Sequence, residues 1–477
     1  MNKKIIILLV VLLFGAIFLS LFALGKWSLM DYDETTYAEV LHENLIRQDF
    51  LSFTYGGQPW FEKPPLYFWL AGASTAVFGE NELAMRLPSA LFIIFSIVLV
   101  WFITFELTKS KRSAFFSSAI LLSTAYFVFA GRQVRLDVPV TFAILLSLYS
   151  FIRGLKNPKW FLGLGFGLAI GVLFKSVIGL LALPIIFIFS VVYGEWKWAR
   201  DKFFWASIAF AFLLVLPWHL YESIKFGSRF WGEYLFTHVL GRVTGNLAFG
   251  EEASFFYHLK QLFIVAQPWF LVFLFLGIFF VAKYRSKIFQ QKFEVFNLIS
   301  ALFILIIFHI PGTILLYYFI PMFPFLAMFV GSNFEKILRF SPRFFAVALA
   351  LLFILGFTST FLMVFSNKDR GFFLAPLPKI SRYMLAEEER IVAEKIKQSD
   401  IPFYEYKWNF FPTIIYYSGM KKISVAANGD RLNPPFFLLV PRPLFKNIES
   451  MPIQSQDGIL KWEILHSGSA AMLFRAD

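Results

Sequence analysis

Met30-Asp31-Tyr32-Asp33-Glu34-Thr35-Thr36-Tyr37-Ala38-Glu39 stands just beyond Ile5 to Ala23, a run of nineteen residues without a charge. The polar stretch continues to Glu62-Lys63-Pro64-Pro65. Carboxylates, a lysine and several aromatics are thus gathered beside a segment of about the 20 residues that cross a bilayer. Ionisable groups held at a membrane are costly to place, and such groups mark functional sites. Lys3 and Lys4 precede the apolar run, which is longer than the ~7–15 residues of a secretory signal and lacks a small-x-small site before Lys26. It reads as a retained transmembrane helix.

The rest of the chain is equally apolar. Of 477 residues 58% are hydrophobic and 16% charged, against about 25% charged in soluble domains. Phe alone supplies 65 residues, and the mean hydropathy is +0.66. The net charge of +13 raises the question of nucleic acid. Its basic residues, however, lie in short clusters between apolar runs, as cytoplasmic loops do. No nucleic-acid partner is expected. The absence of cysteine excludes disulfides and thiolate metal sites. Six histidines with no HxxxH or HExxH pair argue against catalytic zinc.

Further apolar runs fall at 84–107, 113–131, 138–153, 160–174, 177–194, 203–219, 259–282, 295–311, 313–332 and 343–365. With the first they predict eleven spans. One set of alternate loops holds Lys3 and Lys4, then Lys109, Lys111 and Arg112, then Arg153, Lys156 and Lys159. The same set holds Lys197, Arg200 and Lys202, Lys283, Arg285, Lys287 and Lys292, and Lys336, Arg339 and Arg343. The positive-inside rule puts these in the cytoplasm. Loops 25–83 and 220–258, and the chain beyond 366, then face outward from the cytoplasmic (inner) membrane.

In the first outward loop Tyr37, Val40, Leu41, Asn44, Leu45 and Gln48 recur at helical spacing, which predicts an amphipathic helix in the membrane interface. Trp27, Trp60, Phe61, Tyr67 and Trp69 are expected at headgroup level. Loop 220–258 repeats the theme with Phe226, Phe230, Trp231, Tyr234, His238 and Arg242. Residues 1–366 read as the membrane domain and 367–477 as a soluble α/β domain. The latter has a helix from Glu387 to about Gln398 and strands at Ile414–Tyr417, Phe436–Val440 and Ala471–Phe474.

Asp33-Glu34-x-x-Tyr37-Ala38-Glu39, Glu62-Lys63-Pro64-Pro65-Leu66 and Arg86-Leu87-Pro88-Ser89 follow one another in the first third of the chain. Arg135-Leu136-Asp137-Val138-Pro139, Phe174-Lys175 and Tyr317-Tyr318-Phe319-Ile320-Pro321 come later. In order and spacing these motifs resemble the membrane glycosyltransferases of the GT-C type. That group includes the aminoarabinose lipid A transferases and the protein O-mannosyltransferases. The resemblance covers roughly residues 1–330. It implies a polytopic α-helical fold with a small outward α/β domain at the C-terminus. It also implies transfer of a sugar from a polyprenyl-phosphate donor to a lipid or protein acceptor, on the periplasmic or extracytoplasmic side.

By that resemblance Asp33 is the general base and Asp137 a second acidic site residue. Lys63 grips the donor phosphate, and Glu34, Tyr37, Glu62, Arg86, Arg135, Lys175, His238, Arg242 and Tyr318 contact substrate. A phosphate leaving group needs cations for its charge, and an acceptor hydroxyl needs a carboxylate to take its proton. Attack opposite the phosphate inverts the anomeric centre. No cofactor is required, and a divalent cation stays open. The residues also have plain readings. Asp33 and Asp137 stand where N-caps stand, Glu62 and Lys63 make a surface pair of little worth, Lys175 snorkels, and Arg132 and Arg135 anchor a loop to headgroups. The chain departs from the lipid A transferase pattern at Thr36 (Arg there), Trp60 (Tyr there) and Ile314-Leu315-Leu316-Tyr317-Tyr318, which lacks a lysine. A transporter or flippase of lipid-linked sugars is the alternative. It lacks the internal repeat that such folds use around a midplane site.

Overall fold

The computed structural model of the chain describes residues 3–30, 32–241, 255–309, 315–338, 342–365, 382–397, 399–406, 412–419, 424–426, 431–441, 454–455, 462–467 and 471–476. α1 (Lys3–Leu21) leads to α2 (Asp33–Arg47), a hairpin of β1 (Thr54–Tyr55) and β2 (Gln58–Pro59), and α3 (Leu66–Phe78). There follow α4 (Glu82–Thr108), α5 (Lys111–Leu122), α6 (Ala125–Gly131), α7 (Asp137–Gly154), α8 (Phe161–Lys175), α9 (Ala182–Tyr193) and α10 (Lys202–Phe226). Later helices run Ser228–Trp231, Phe255–Val265, Trp269–Tyr284, Lys292–Ile307, Phe323–Leu338 and Pro342–Phe365. The turn Gly232–Leu240 is wound as a π-helix.

Each of the apolar runs forms helix over most of its described length. Among the described residues, six helices are long and apolar enough to cross a membrane, or eight if two bent pairs each count as one span. Several of the runs break. α5 and α6 meet at 64°, where Ser123 and Thr124 turn their hydroxyls back onto the carbonyls of Ala119 and Ile120 at 2.7 and 2.8 Å. α9 has only 12 residues. Close helix crossings use residues without bulk. A Cβ on Gly165 would stand 2.2 Å from the Ser207 carbonyl of α10, and one on Gly179 would stand 2.0 Å from Gly171. The second contact folds the 3₁₀ turn Ser176–Leu180 back on α8, beside Lys175.

α2 forms where its spacing predicts, with Tyr37, Val40, Leu41 and Asn44 buried. It does not lie open in the interface, however. Its residues Glu34 to Leu41 are all buried, with α3 and helix Pro412–Ser418 packed on it. Phe61 and Tyr67 likewise sit in the core rather than at headgroups. The Phe61 ring meets Phe226 at 5.0 Å and Phe230 at 5.6 Å, so the two long loops pack on each other. Aromatics bury more apolar area against one another than at a wet surface.

At the C-terminus a five-stranded sheet has the order β4-β3-β6-β9-β8. Its strands are β3 (Phe403–Tyr406), β4 (Ser424–Ala426), β6 (Phe436–Pro441), β8 (Trp462–Ser467) and β9 (Ala471–Ala476), with β5 (Arg431–Leu432) and β7 (Gln454–Ser455) paired separately. β3 runs parallel to β4 and β6, and β9 antiparallel to β6 and β8. Alternate residues serve two faces: Phe437, Leu439 and Leu473 pack with Val392 and Ile396 of helix Arg382–Ile396, and Phe436, Leu438 and Phe474 pack on the other side. Two expected strands are present. The third, Ile414–Tyr417, is instead the helix Pro412–Ser418. Pro412 is preorganised for a first helical position, Gly419 leaves at φ +72°, and Ile414, Ile415 and Ser418 bury one face. The expected division at 366/367 lies outside the described residues.

Candidate active site

Two carboxylates begin helices without capping them. Asp33 is the first residue of α2 and Asp137 the first of α7, and neither N-terminus has a side-chain cap. Both side chains reach cations instead. Asp33 Oδ2 stands 3.0 Å from Arg135 Nη1, and Arg135 Nε donates to Gln133 Oε1 at 2.7 Å. Asp137 Oδ1 accepts from Lys175 Nζ. Lys63 pairs with its neighbour Glu62. Three acids thus face three bases.

One ring joins the first two pairs. The Arg135 guanidinium lies 4.4 Å from the centroid of Tyr317, and Lys175 Nζ lies 5.3 Å from Tyr317 and from Tyr318. Tyr317 is therefore a member of the cluster that the motif reading, which points to Tyr318, does not single out. Its signal in the sequence is the adjacent aromatic pair Tyr317-Tyr318. Lys63 Nζ approaches the ring of Tyr37 at 5.9 Å. Burial first, and then the carboxylates of Asp33 and Glu62, hold the Tyr37 phenol well above its usual range, so it stays protonated. Burial opposes the charge on Arg135, but Asp33 together with Tyr317, Tyr126 and Asp137 more than offsets it and raises its pKa. The guanidinium is a fixed charge.

A cavity of about 380 Å³ opens beside these groups. It is lined by Glu62, Lys63, Asp137, Lys175, His238 and Tyr318 together with apolar residues such as Leu181, Pro184, Ile307 and Phe308. Asp33 and Arg135 do not line it; the ring of Tyr317 links Arg135 to Lys175, which does. The cavity is amphiphilic.

Glu34 and Arg86 are placed differently from the expectation that they touch substrate. They are 2% and 3% exposed and joined by Nε–Oε1 and Nη2–Oε2 contacts of 2.7 and 2.9 Å. Arg86 also donates to the carbonyls of Leu24, Trp27 and Ser28, and Glu34 accepts from Met30 N and Val134 N. The pair braces the segment before α2 and does not line the cavity. Arg132, expected at headgroups, is buried with hydrogen bonds to Leu19, Ser20 and Phe22 carbonyls. His238 reaches the cavity from the π-helix, and Arg242 lies outside the described residues. Among the described residues no three His, Asp or Glu side chains converge as a metal site would.

Helices in this order, with two packed loops and an appended mixed sheet, make a mostly helical polytopic membrane protein. The structure matches that of ArnT from Cupriavidus metallidurans bound to undecaprenyl phosphate, with a TM-score of 0.72 at 15% identity, over 98% of this chain and 97% of that one. It also matches the oligosaccharyltransferase AglB from Archaeoglobus fulgidus, TM-score 0.60 at 13% identity, over 93% of this chain and 70% of that one. In sequence, the family described as dolichyl-phosphate-mannose-protein mannosyltransferase matches residues 62–221. The undecaprenyl phosphate-alpha-4-amino-4-deoxy-L-arabinose arabinosyl transferase of Enterobacter sp. (strain 638) is 27% identical over 266 residues, 54% of this chain and 48% of that protein. The chain spans 64% and 48% of the lengths of the first curated relatives it matches. These similarities agree with the resemblance carried by the motifs.

Proposed function

We propose that this chain is a glycosyltransferase moving a sugar from a polyprenyl phosphate to a lipid or protein acceptor at the outward face of the cytoplasmic membrane. The observation that carries the reading is one cavity lined both by Lys63, Lys175 and Asp137 and by apolar side chains such as Leu181, Pro184 and Ile307. A phosphate on a long isoprenoid has that same polarity. The ligand bound in the ArnT structure, undecaprenyl phosphate, is of this class.

The donor phosphate exchanges with Asp137 and Glu62 for the two lysines, by charge-assisted hydrogen bonds that are strong in a partly dry site. The acceptor oxygen attacks the anomeric carbon on the face opposite the phosphate. The new C–O bond forms as the bond to phosphate oxygen breaks, and the departing electron pair stays on the phosphate beside the lysines. Asp33 takes the acceptor proton. Arg135 holds one of its oxygens, and the other is assigned to the hydroxyl. The anomeric centre inverts. No step asks for a cofactor.

The test offers purified protein in detergent a panel of radiolabelled polyprenyl-phosphate sugars with a membrane extract, comparing wild type with Asp33→Asn. Transfer that disappears in the variant while donor binding survives supports the enzyme. Donor binding without transfer by either protein turns the reading to a flippase, and failure to bind any donor overturns it.

A further inference from the structure

The segment Trp27–Met30, between α1 and α2, is held from two sides. On its inner side Arg86 takes the carbonyls of Trp27 and Ser28 at 2.7 and 2.9 Å, and Met30 N donates to Glu34 at 2.9 Å. On its outer side the C-terminal domain supplies the partners. Ser28 Oγ donates to Glu387 Oε2 at 2.5 Å, and Leu29 N donates to Tyr417 Oη at 2.9 Å. Tyr417 then donates to Glu82 Oε1 at 2.9 Å, at the start of α4. Arg390 closes the contact, 3.5 Å from Glu82 and 5.3 Å from the centroid of Tyr417. Met30, Phe129 and Ala386 pack together beside it.

We infer that the C-terminal domain is a clamp on the acid-bearing helix, with Tyr417 and Glu387 as positioning residues for Asp33. This rests on the reading of Asp33 as the base. Asp33 lies three residues beyond Met30 and opens α2, so a shift of the segment moves the carboxylate along the helix axis. The segment has no repetitive backbone bonding of its own. Its position is the balance of the two sets of partners. Tyr417 is well suited to this office because one hydroxyl both accepts from the segment and donates to α4, which tie the same point to two elements. A domain that only covered the membrane half would have no need to bond backbone within a few residues of the reacting acid.

Tyr417→Phe keeps the ring over Arg390 and removes both bonds. It is expected to lower kcat between about tenfold and 100-fold, the effect of displacing a reacting group by up to an ångström, with KM for the polyprenyl-phosphate sugar unchanged. Glu387→Ala lowers kcat in the same way, and Glu387→Gln, which still accepts from Ser28, regains most of the rate. Ser28→Ala makes the same cut from the membrane side and serves if Tyr417→Phe fails to fold. Wild-type kcat in Tyr417→Phe and Ser28→Ala, or a loss that falls on KM, overturns the clamp. These results are read against Asp33→Asn: if wild type transfers and Asp33→Asn does not, the enzyme reading stands whatever Tyr417 does. If wild type itself transfers nothing, that reading has failed and the clamp with it.

Discussion

Glu34 gives both its oxygens to Arg86, Met30 and Val134 at 2% exposure, whereas Asp33, one residue earlier, gives an oxygen to Arg135 and stays 20% exposed. The two acids share a helix and even a charge, and their surroundings separate them. A carboxylate whose acceptor capacity is filled by donors cannot receive a proton from a visitor. A carboxylate with capacity left, next to a cavity, can. The same contrast divides the cations. Arg86 is bonded at every side, while Lys63 and Lys175 each pair with a neighbouring acid that, on the proposed function, a phosphate replaces. Saturation, more than burial or charge, separates bracing from chemistry.

The contrast breaks most visibly at Asp33. Asp33→Asn is expected to lower transfer about 10²–10⁴-fold, the span of general-base effects, in a single-turnover assay, and to leave the melting temperature near wild type. Glu34→Gln is expected to do the reverse. Removing one member of a buried, fully bonded pair costs about 3–5 kcal/mol, which thermal unfolding in detergent reads directly, and activity should follow the fraction that remains folded. An active, unstable Asp33→Asn beside a stable, inactive Glu34→Gln would invert the assignment.

Lys175→Ala sharpens the cation side. Loss of a charged hydrogen bond, about 1.5–3 kcal/mol, raises the donor Kd roughly tenfold to 100-fold, measurable by equilibrium binding of an isoprenyl phosphate. Arg86→Lys should leave that Kd in place.

The smallest effect concerns a third acid of α2. Burial pushes Glu39 up to about 7, and its Oε2 is buried without a hydrogen bond. The bond from His42 to Glu80, 2.6 Å long, raises the imidazole in turn. Both groups bind protons more tightly in the folded chain than in the unfolded one. Their contribution is therefore complete at low pH and is lost as pH rises, from the ordinary carboxylate range through about 7 for Glu39 and through the raised value for His42. Melting temperature should fall from the ordinary carboxylate range up through about pH 7, and Glu39→Gln should flatten that fall. An unchanged slope in the variant would assign the titration elsewhere.

Much of this was legible in the sequence. The apolar runs are helical over most of their described length, and the spacing of Tyr37, Val40, Leu41 and Asn44 gave α2 its face. Periodicity reports which side of an element is greasy, so those features travel with the local sequence. It does not report what greasy surface lies opposite, and α2 was therefore read as resting on lipid when helix Pro412–Ser418 covers it. That helix was itself read as a strand, because Ile-Ile-Tyr-Tyr has strand propensity and only its proline and glycine borders speak against one. The bend between α5 and α6 comes from two hydroxyls whose back-bonding no hydropathy scale registers. Asp33 and Glu34 were indistinguishable in the chain, since the arginines that part them lie 102 and 52 positions away.

The seam where Gly171 meets Gly179 has a bearing on how such a protein changes over generations. With backbone against backbone, neither Gly171 nor Gly179 has room to accept even a methyl group beside Lys175 and Ser176. Inheritance can vary those two positions only by breaking the seam. Glu62 to Pro64, His238 and Val239 line the same cavity from outside that seam. On the proposed function, a lineage that adopts a new sugar or acceptor has its freedom away from Gly171 and Gly179.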